Sequence, residues 1–187
     1  MIIIKRVTEF SELEGIQKLQ KRNLKANLSL AETETEGFVT AEYTIEFLQK
    51  MHEAGASIIA KDDDMVVGYA LVASPKVRNE HELLAGLFTA IDKSAFGGKL
   101  LKDSDYVVVG QLCVSKQYRG MRIVDQMYEY YRECLSDTFD YCITDIDQAN
   151  PRSLKVHMRS GFQVINTLQY KEAKWDIVLW DWNKVKK

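Results

Sequence analysis

The chain predicts an α/β domain whose central sheet is mixed, mostly antiparallel, about seven strands wide and flanked by four or five helices. Three observations predict it. Short apolar runs bounded by turn residues recur from end to end, and segments with apolar residues at helical spacing stand between them. One long join, Tyr106 to Leu135, passes from the first pattern to the second through a basic turn, KQYRGMR. Composition sets the same bound: 187 residues, 46% hydrophobic and 28% charged, suffice for one domain with a sizeable core. A net charge of −2 gives no reason to expect nucleic acid.

The elements follow in order. Met1 to Val7 predicts a strand, and Glu9 to about Ala26 a helix carrying Phe10, Leu13, Ile16, Leu19 and Leu24. Leu28 to Glu36, rich in Thr and Glu, predicts a polar loop; Tyr43 to Met51 predicts a second amphipathic helix. Ser57 to Ala60 and Val66 to Ala73 form a hairpin about the turn Lys61 to Asp64, and Pro75 ends it. Glu80 to Asp92 is helical by the spacing of Leu83, Leu84, Leu87, Phe88 and Ile91, and a loop follows at Gly97 and Gly98. In Tyr106 to Ser115 both alternating faces are apolar, as in a strand covered on both sides. Gly110 interrupts that strand and predicts a bulge that prises neighbouring strands apart. Ile123, Met127, Tyr130, Tyr131, Cys134 and Leu135 make the apolar face of the next helix. Tyr141 to Ile146 is a strand, and a helix runs from the N-cap Asn150 and Pro151 to a left-handed stop at Gly161. Phe162 to Tyr170 and Trp175 to Trp182 close the chain as a hairpin about Lys171 to Lys174, its three tryptophans supplying core or dimer contacts.

The basic turn is where chemistry enters. The first amides of a helix lack internal partners and sit at the positive end of its dipole, so a glycine-bearing turn into a helix suits an anion. Gln117, Tyr118, Arg119 and Gly120 match the first four positions of the Q/R-x-x-G-x-G/A signature. Downstream, Asn150, Ser153, Gly161 and Phe162 match a second block, N-x-x-S/A followed by Gly-Phe. On both motifs the chain resembles the GNAT family of N-acetyltransferases. One departure stands in the first motif: its last position is Arg122, whose side chain needs room or adds a cation beside the phosphate.

The resemblance implies one N-acetyltransferase domain over 1–187 with a substrate-shaping insertion at about 75–105, and a fourth and fifth strand that splay apart. It implies acetyl-coenzyme A as cosubstrate and no metal. Its pantetheine amides would pair with the backbone of Leu112 and Val114. Its pyrophosphate would take the amides of Gln117, Tyr118, Arg119, Gly120, Met121, Arg122 and Ile123, and Asn150 and Ser153 would lie near the pantetheine arm. The acceptor is expected to be a primary amine on a small molecule, because the insertion should narrow the cleft mouth. A protein amine, or a non-catalytic acyl-coenzyme A sensor, is the alternative.

Proton transfer leaves two questions open. His157 stands where the family commonly has a tyrosine that protonates the departing thiolate; with an ordinary pKa near ~6.5 a histidine can do this, or it can simply pack against Phe162. For the general base, Gly110 and Gln111 stand where many relatives have a carboxylate. That leaves Asp145, Asp147 or a water chain, and water is favoured because a strand carboxylate here shows no reason for a raised pKa. Glu32, Glu34 and Glu36 either attract a cationic amine or are a solvated loop. Cys113, Cys134 and Cys142 lack metal-ligand spacing and suit buried thiols in a reducing compartment. MIIIKRV is too short a run for a signal peptide and no stretch nears the ~20 apolar residues of a membrane span, so a cytoplasmic protein without membrane contact is expected, with a homodimer as the option that the tryptophan hairpin leaves open.

Overall fold

The computed structural model describes residues 1–170 and 172–183 and, of Glu34, the backbone alone. Lys171, in the turn of the last hairpin, lies outside the described residues. In chain order the elements are β1 (Ile2–Arg6), α1 (Phe10–Asn23), α2 (Leu30–Glu36), α3 (Ile45–Ala54), β2 (Ile58–Asp62), β3 (Met65–Ala73) and α4 (Glu82–Asp92). Then come β4 (Ala95–Phe96), β5 (Lys99–Leu100), β6 (Tyr106–Val114), α5 (Ile123–Leu135), β7 (Tyr141–Asp147), α6 (Pro151–Arg159), β8 (Gln163–Tyr170) and β9 (Ala173–Asp181). The main sheet has seven strands in the order β1-β2-β3-β6-β7-β9-β8. Every neighbouring pair is antiparallel except β6 and β7, which run parallel because α5 carries the chain back across the sheet between them.

Two apolar layers clamp this sheet. On one face Leu13 and Ile16 of α1, Leu48 and Met51 of α3, and Leu84 and Phe88 of α4 pack on Tyr69, Leu71, Val108 and Ile143. On the other, Met127, Tyr128 and Tyr131 of α5 pack on Val67, Val107, Cys142, Phe162 and Trp182. Strand alternation therefore aims Ile143 at the α1, α3 and α4 side, and Cys142 and Ile146 at the α5 side. Trp180 and Trp182 join this second layer, in edge contact with each other.

Three expectations need correction. Residues 28–36 are not a loop throughout: Ser29 Oγ accepts from the Glu32 amide while the Glu32 carboxylate takes the Ser29 amide, a capping box that starts α2. That makes six α-helices among the described residues rather than four or five. The second predicted helix begins after its Thr44 cap rather than at Tyr43, which is buried beneath it. The Gly97 and Gly98 loop is a tight hairpin of β4 on β5, both glycines taking positive φ (58° and 81°) that other residues rarely adopt.

Gly110 behaves as its place in the strand predicts. Ala70 pairs with Leu112 but Val72 pairs with Val109, so Gly110 and Gln111 together face Leu71, a bulge in β6. A β-carbon on Gly110 would lie 3.0 Å from Met51 Cε and 3.4 Å from Ala73 Cβ, too close for other residues without movement. Beyond the bulge the strands part. β6 and β7 pair only at Tyr106 with Tyr141, Val107 with Cys142 and Val108 with Ile143. At the fork Thr144 Oγ1 donates to Val109 O (2.8 Å), and past it β7 is held by β9 alone.

Candidate active site

The open fork leads to the basic turn. After Val114 the chain makes a short 3-10 turn, Lys116–Tyr118, and reaches Gly120 at φ +85°, with open space where a β-carbon would stand. Arg122 takes φ 57° just before α5, and no side chain caps that helix, so its first amides are offered outward. The Arg122 side chain finds room in solvent, 78% exposed, and binds Asp125 (2.8 Å), which Arg159 also holds (2.9 Å). These two arginines keep Asp125 below the usual carboxylate range against its partial burial. Arg119 does not point at the turn. Its guanidinium donates to Val114 O (3.1 Å), Glu36 (2.9 Å) and Asn23 Oδ1 (2.8 Å), bracing β6 to α1 and α2. Tyr118 likewise donates its hydroxyl to Asp62 (2.9 Å). Gln117 and Met121 are exposed and Ile123 is buried, so from these three any anion meets backbone.

The groove continues between the parted strands. Leu112, Val114, Arg119, Arg122, Asn150 and Ser153 all line its basic end. Asn150 is the expected N-cap: its Oδ1 accepts from the Ser153 amide (3.2 Å), and its Nδ2 donates to Phe38 O (3.0 Å). Each polar atom of Asn150 thus has a partner inside the protein, and Val114 O accepts from Arg119. Residues 36–39 lie across this groove. Val39 is tied by backbone bonds to Asn23 and Lys25, and Gly37 turns at φ 74°. The residues present fit a pyrophosphate-bearing thioester: a Cβ-free turn, an uncapped helix start, arginines beside it and a slot lacking sheet partners.

Past the slot lies a chamber of about 390 Å³, continuous with the basic groove through the shared residues Phe38, Val39, Leu112, Asn150 and Ser153. Its floor is Gly110, Gln111 and the end of β7; α4 and the tip of the β8–β9 hairpin wall it. Gln111 accepts from Tyr69 (2.6 Å) and Gln20 (2.8 Å) and donates one N–H to Ala41 O (2.9 Å). Tyr43 donates to Gly110 O (3.2 Å), and burial pushes its phenol above the usual range. Asp147 accepts from Lys25 (3.3 Å) and from the Ala149 amide (2.9 Å). Asp145 differs. It has no ion-pair partner among the described residues, and burial raises its pKa to about 6 against one weak opposing bond from its own amide. The expectation of an unperturbed strand carboxylate is therefore corrected: burial at the wall of the chamber raises it.

His157 borders the chamber, 2% exposed. Its Nδ1 lies 2.8 Å from Ser153 O, a bond that requires the proton on Nδ1, and its Nε2 lies 2.6 Å from the buried Tyr128 hydroxyl and accepts from it. Burial lowers its pKa to about 4 despite the Ser153 carbonyl. The ring is neutral, and neither nitrogen has a proton free for a thiolate. The phenyl of Phe162 packs on it at 5.2 Å between centroids. Through these bonds His157 ties α6 to Tyr128 of α5.

The acidic loop is accounted for as well. Glu36 pairs with Arg119, Arg152 (3.6 Å) and Lys116 (3.8 Å), and Glu32 with Lys116 (3.5 Å), so these carboxylates flank the basic groove and not the chamber. Arg119 holds Glu36 below the usual carboxylate range. The Glu34 side chain lies outside the described residues. Cys113 and Cys142 are buried, burial pushing the Cys113 thiol up to about 12; Cys134 is half-buried. Among the described residues no helix is long and apolar enough to cross a membrane.

Comparison with known proteins agrees with this geometry. The profile of the Acetyltransferase (GNAT) family matches residues 24–162. No curated protein sequence matches the chain. Among solved structures, NAA60 of Arabidopsis thaliana in complex with acetyl-CoA superposes with a TM-score of 0.65 at 16% identity, covering 97% of this chain and 99% of that one. The protein yncA of Salmonella typhimurium with its cofactor acetyl-CoA gives 0.63 at 11% identity, covering 97% and 94%. The NatC complex bound to Gag peptide and CoA contains a chain that gives 0.65 at 15% identity, covering 96% and 98%. Such identities carry the fold alone, but the profile spans most of the chain: it belongs to the GNAT family of acetyltransferases.

Proposed function

We propose that this protein transfers the acetyl group of acetyl-coenzyme A to a primary amine, with Asp145 as the proton acceptor. The observation that carries the proposal is one continuous path. It runs from the uncapped start of α5, through the fork of β6 and β7, to a chamber whose unpaired carboxylate has a pKa of about 6. When bound, acetyl-coenzyme A supplies an activated acyl carbonyl and a thiolate leaving group. The turn about Gly120 holds the phosphates, and the slot beside Leu112 directs the arm inward. Asp145, ionised at neutral pH, draws in the ammonium, which gives one proton to water to free its lone pair; Asp145 then accepts a second proton from the nitrogen as the carbon–nitrogen bond forms, when the remaining N–H groups become acidic. The departing thiol, with an ordinary pKa near ~8.5, leaves readily as thiolate and takes its proton from water. His157, with Tyr128, holds α6 in place.

Isothermal titration with coenzyme A, paired with thiol release from acetyl-coenzyme A in the presence of primary amines, tests this. Binding lost in Gly120→Asp together with amine-dependent thiol release by the wild type is the expected pair of results. Wild-type-like binding by Gly120→Asp would overturn the coenzyme site. The sensor reading keeps one observation in its favour, that His157 has no proton to give; saturable acetyl-coenzyme A binding without turnover on any amine would establish it.

A further inference from the structure

The chamber is specific about what it lacks. Its carboxylates are Asp145 and Asp147, and Asp147 is already paired with Lys25, so one positive charge can be met there and a second cannot. Tyr43 and Thr144 spend their hydroxyl protons on the protein, and Gln111 keeps one N–H, which leaves a peptide main chain few partners there. The Trp175 indole N–H lacks a partner but is occluded. Thr40 also lines the chamber, as do Gln169 and Tyr170, which have partners of their own, and the rest is mostly apolar: Leu83, Leu84, Leu87 and Ala90 of α4, with Leu168 and Trp175 opposite.

Position 86 sharpens the picture. Residues 83, 86, 87 and 90 fall on one stripe of α4, and that stripe lines the chamber. Gly86 stands inside the helix, where glycine is disfavoured, and nothing lies within 4 Å of where its β-carbon would be. The helix forgoes a side chain on its working face, and the space so left is open to a ligand. We propose that the acceptor is a monoamine carrying a bulky apolar body, such as an arylalkylamine, with its nitrogen at Asp145 and its body against the Gly86 face of α4. The inference rests on the reading of this chamber as the amine side of an acetyl transfer.

Four probes and one variant pair test it: 2-phenylethylamine, ethylamine, spermidine and a short peptide with N-terminal leucine, each with acetyl-coenzyme A, on the wild type, Gly86→Leu and the milder Gly86→Ala. The expected kcat/KM for 2-phenylethylamine exceeds that for ethylamine or spermidine on the order of 100-fold, the order expected for burying a ring of this size. Gly86→Leu, its folding checked by coenzyme A titration, should lower the phenylethylamine to ethylamine ratio about tenfold, with Gly86→Ala between. A preference for spermidine or for the peptide, or a ratio unmoved by both variants, would overturn the inference and leave the transfer reading standing. If no amine releases thiol, titration of 2-phenylethylamine into the coenzyme A-loaded protein decides. Saturable binding weakened by Gly86→Leu upholds the ligand class while the transfer reading falls, and no binding overturns both.

Discussion

Replacing His157 by phenylalanine separates a proton donor from a structural pin. The substitution keeps the ring contacts with Phe162 and Tyr128 but removes both ring nitrogens. The Tyr128 hydroxyl, on a residue 1% exposed, then loses its partner at 2.6 Å, and an orphaned buried hydroxyl costs about 1–3 kcal/mol. With some return from the added apolar ring, the net loss is about 2 kcal/mol, or roughly 4–8 °C in Tm for a chain of this size. The deficit depends on pH in a definite direction. The folded pKa of about 4 lies below the ordinary 6.5, so the wild type loses stability as pH falls from 6.5 towards 4 and the Phe variant does not. The gap between the two is therefore widest at pH 7 and closes towards pH 4. Thermal unfolding across that range measures it, and the double variant with Tyr128→Phe should recover much of the loss, since the orphan is gone. Turnover per folded molecule should stay within about threefold; a fall of 100-fold or more at full folding would make His157 the acid and refute the structural reading.

Other outcomes follow from the same geometry. Asp145→Asn should lower kcat on the order of 100-fold with coenzyme A affinity intact, and wild-type kcat should rise with pH through about 6; undiminished turnover would return the base role to water. Because the folded pKa of Asp145 is raised, the wild type is penalised as pH rises from about 4 through 6, so the same variant should melt higher at pH 7.5 even as activity falls. Gly120→Asp should weaken coenzyme A by 30-fold or more, on the order expected for adding left-handed strain to a carboxylate facing phosphate; titration calorimetry with Gly120→Ala as the strain-only control reads it. Glu36→Gln releases Arg119, Arg152 and Lys116 from one carboxylate and should tighten coenzyme A a few-fold at low salt, an effect that fades above about 0.3 M; weaker binding would mean that Glu36 instead holds residues 36–39 in a productive place.

Much of this was legible along the chain because the signals were local. Gly110 announced its bulge, Asn150 and Pro151 the start of α6, and the run from Val114 to Ile123 the turn into α5. Ser29 and Glu32 carried the capping box in plain view; the polar composition of residues 28–36 obscured a helix that tertiary contacts complete. What could not be read was pairing at long range. The Arg119 side chain reaches Asn23, 96 residues away, a brace that its place in the motif does not tell. Asp145 owes its raised pKa to burial, and nothing in T-D-I-D tells what will cover it. His157 owes its lowered pKa to burial, and the partner of its Nε2 stands on another helix. Gly86 carries no functional signal in the sequence, because a glycine in a helical pattern signals only cost, and it is the chamber beyond it that gives the position a meaning.

The short seam between β6 and β7 has a mechanical meaning. Three paired positions join a plate of β1, β2, β3 and β6 to a plate of β7, β9 and β8, each continuous within itself. A sheet so joined is a hinge, and a ligand whose own amides bridge the open edges supplies the missing rungs. Amide hydrogens on the far half of β6 and of β7, distant in sequence and bonded to different neighbours, should then slow their exchange with solvent together on loading, as the two plates come to open as one cooperative unit.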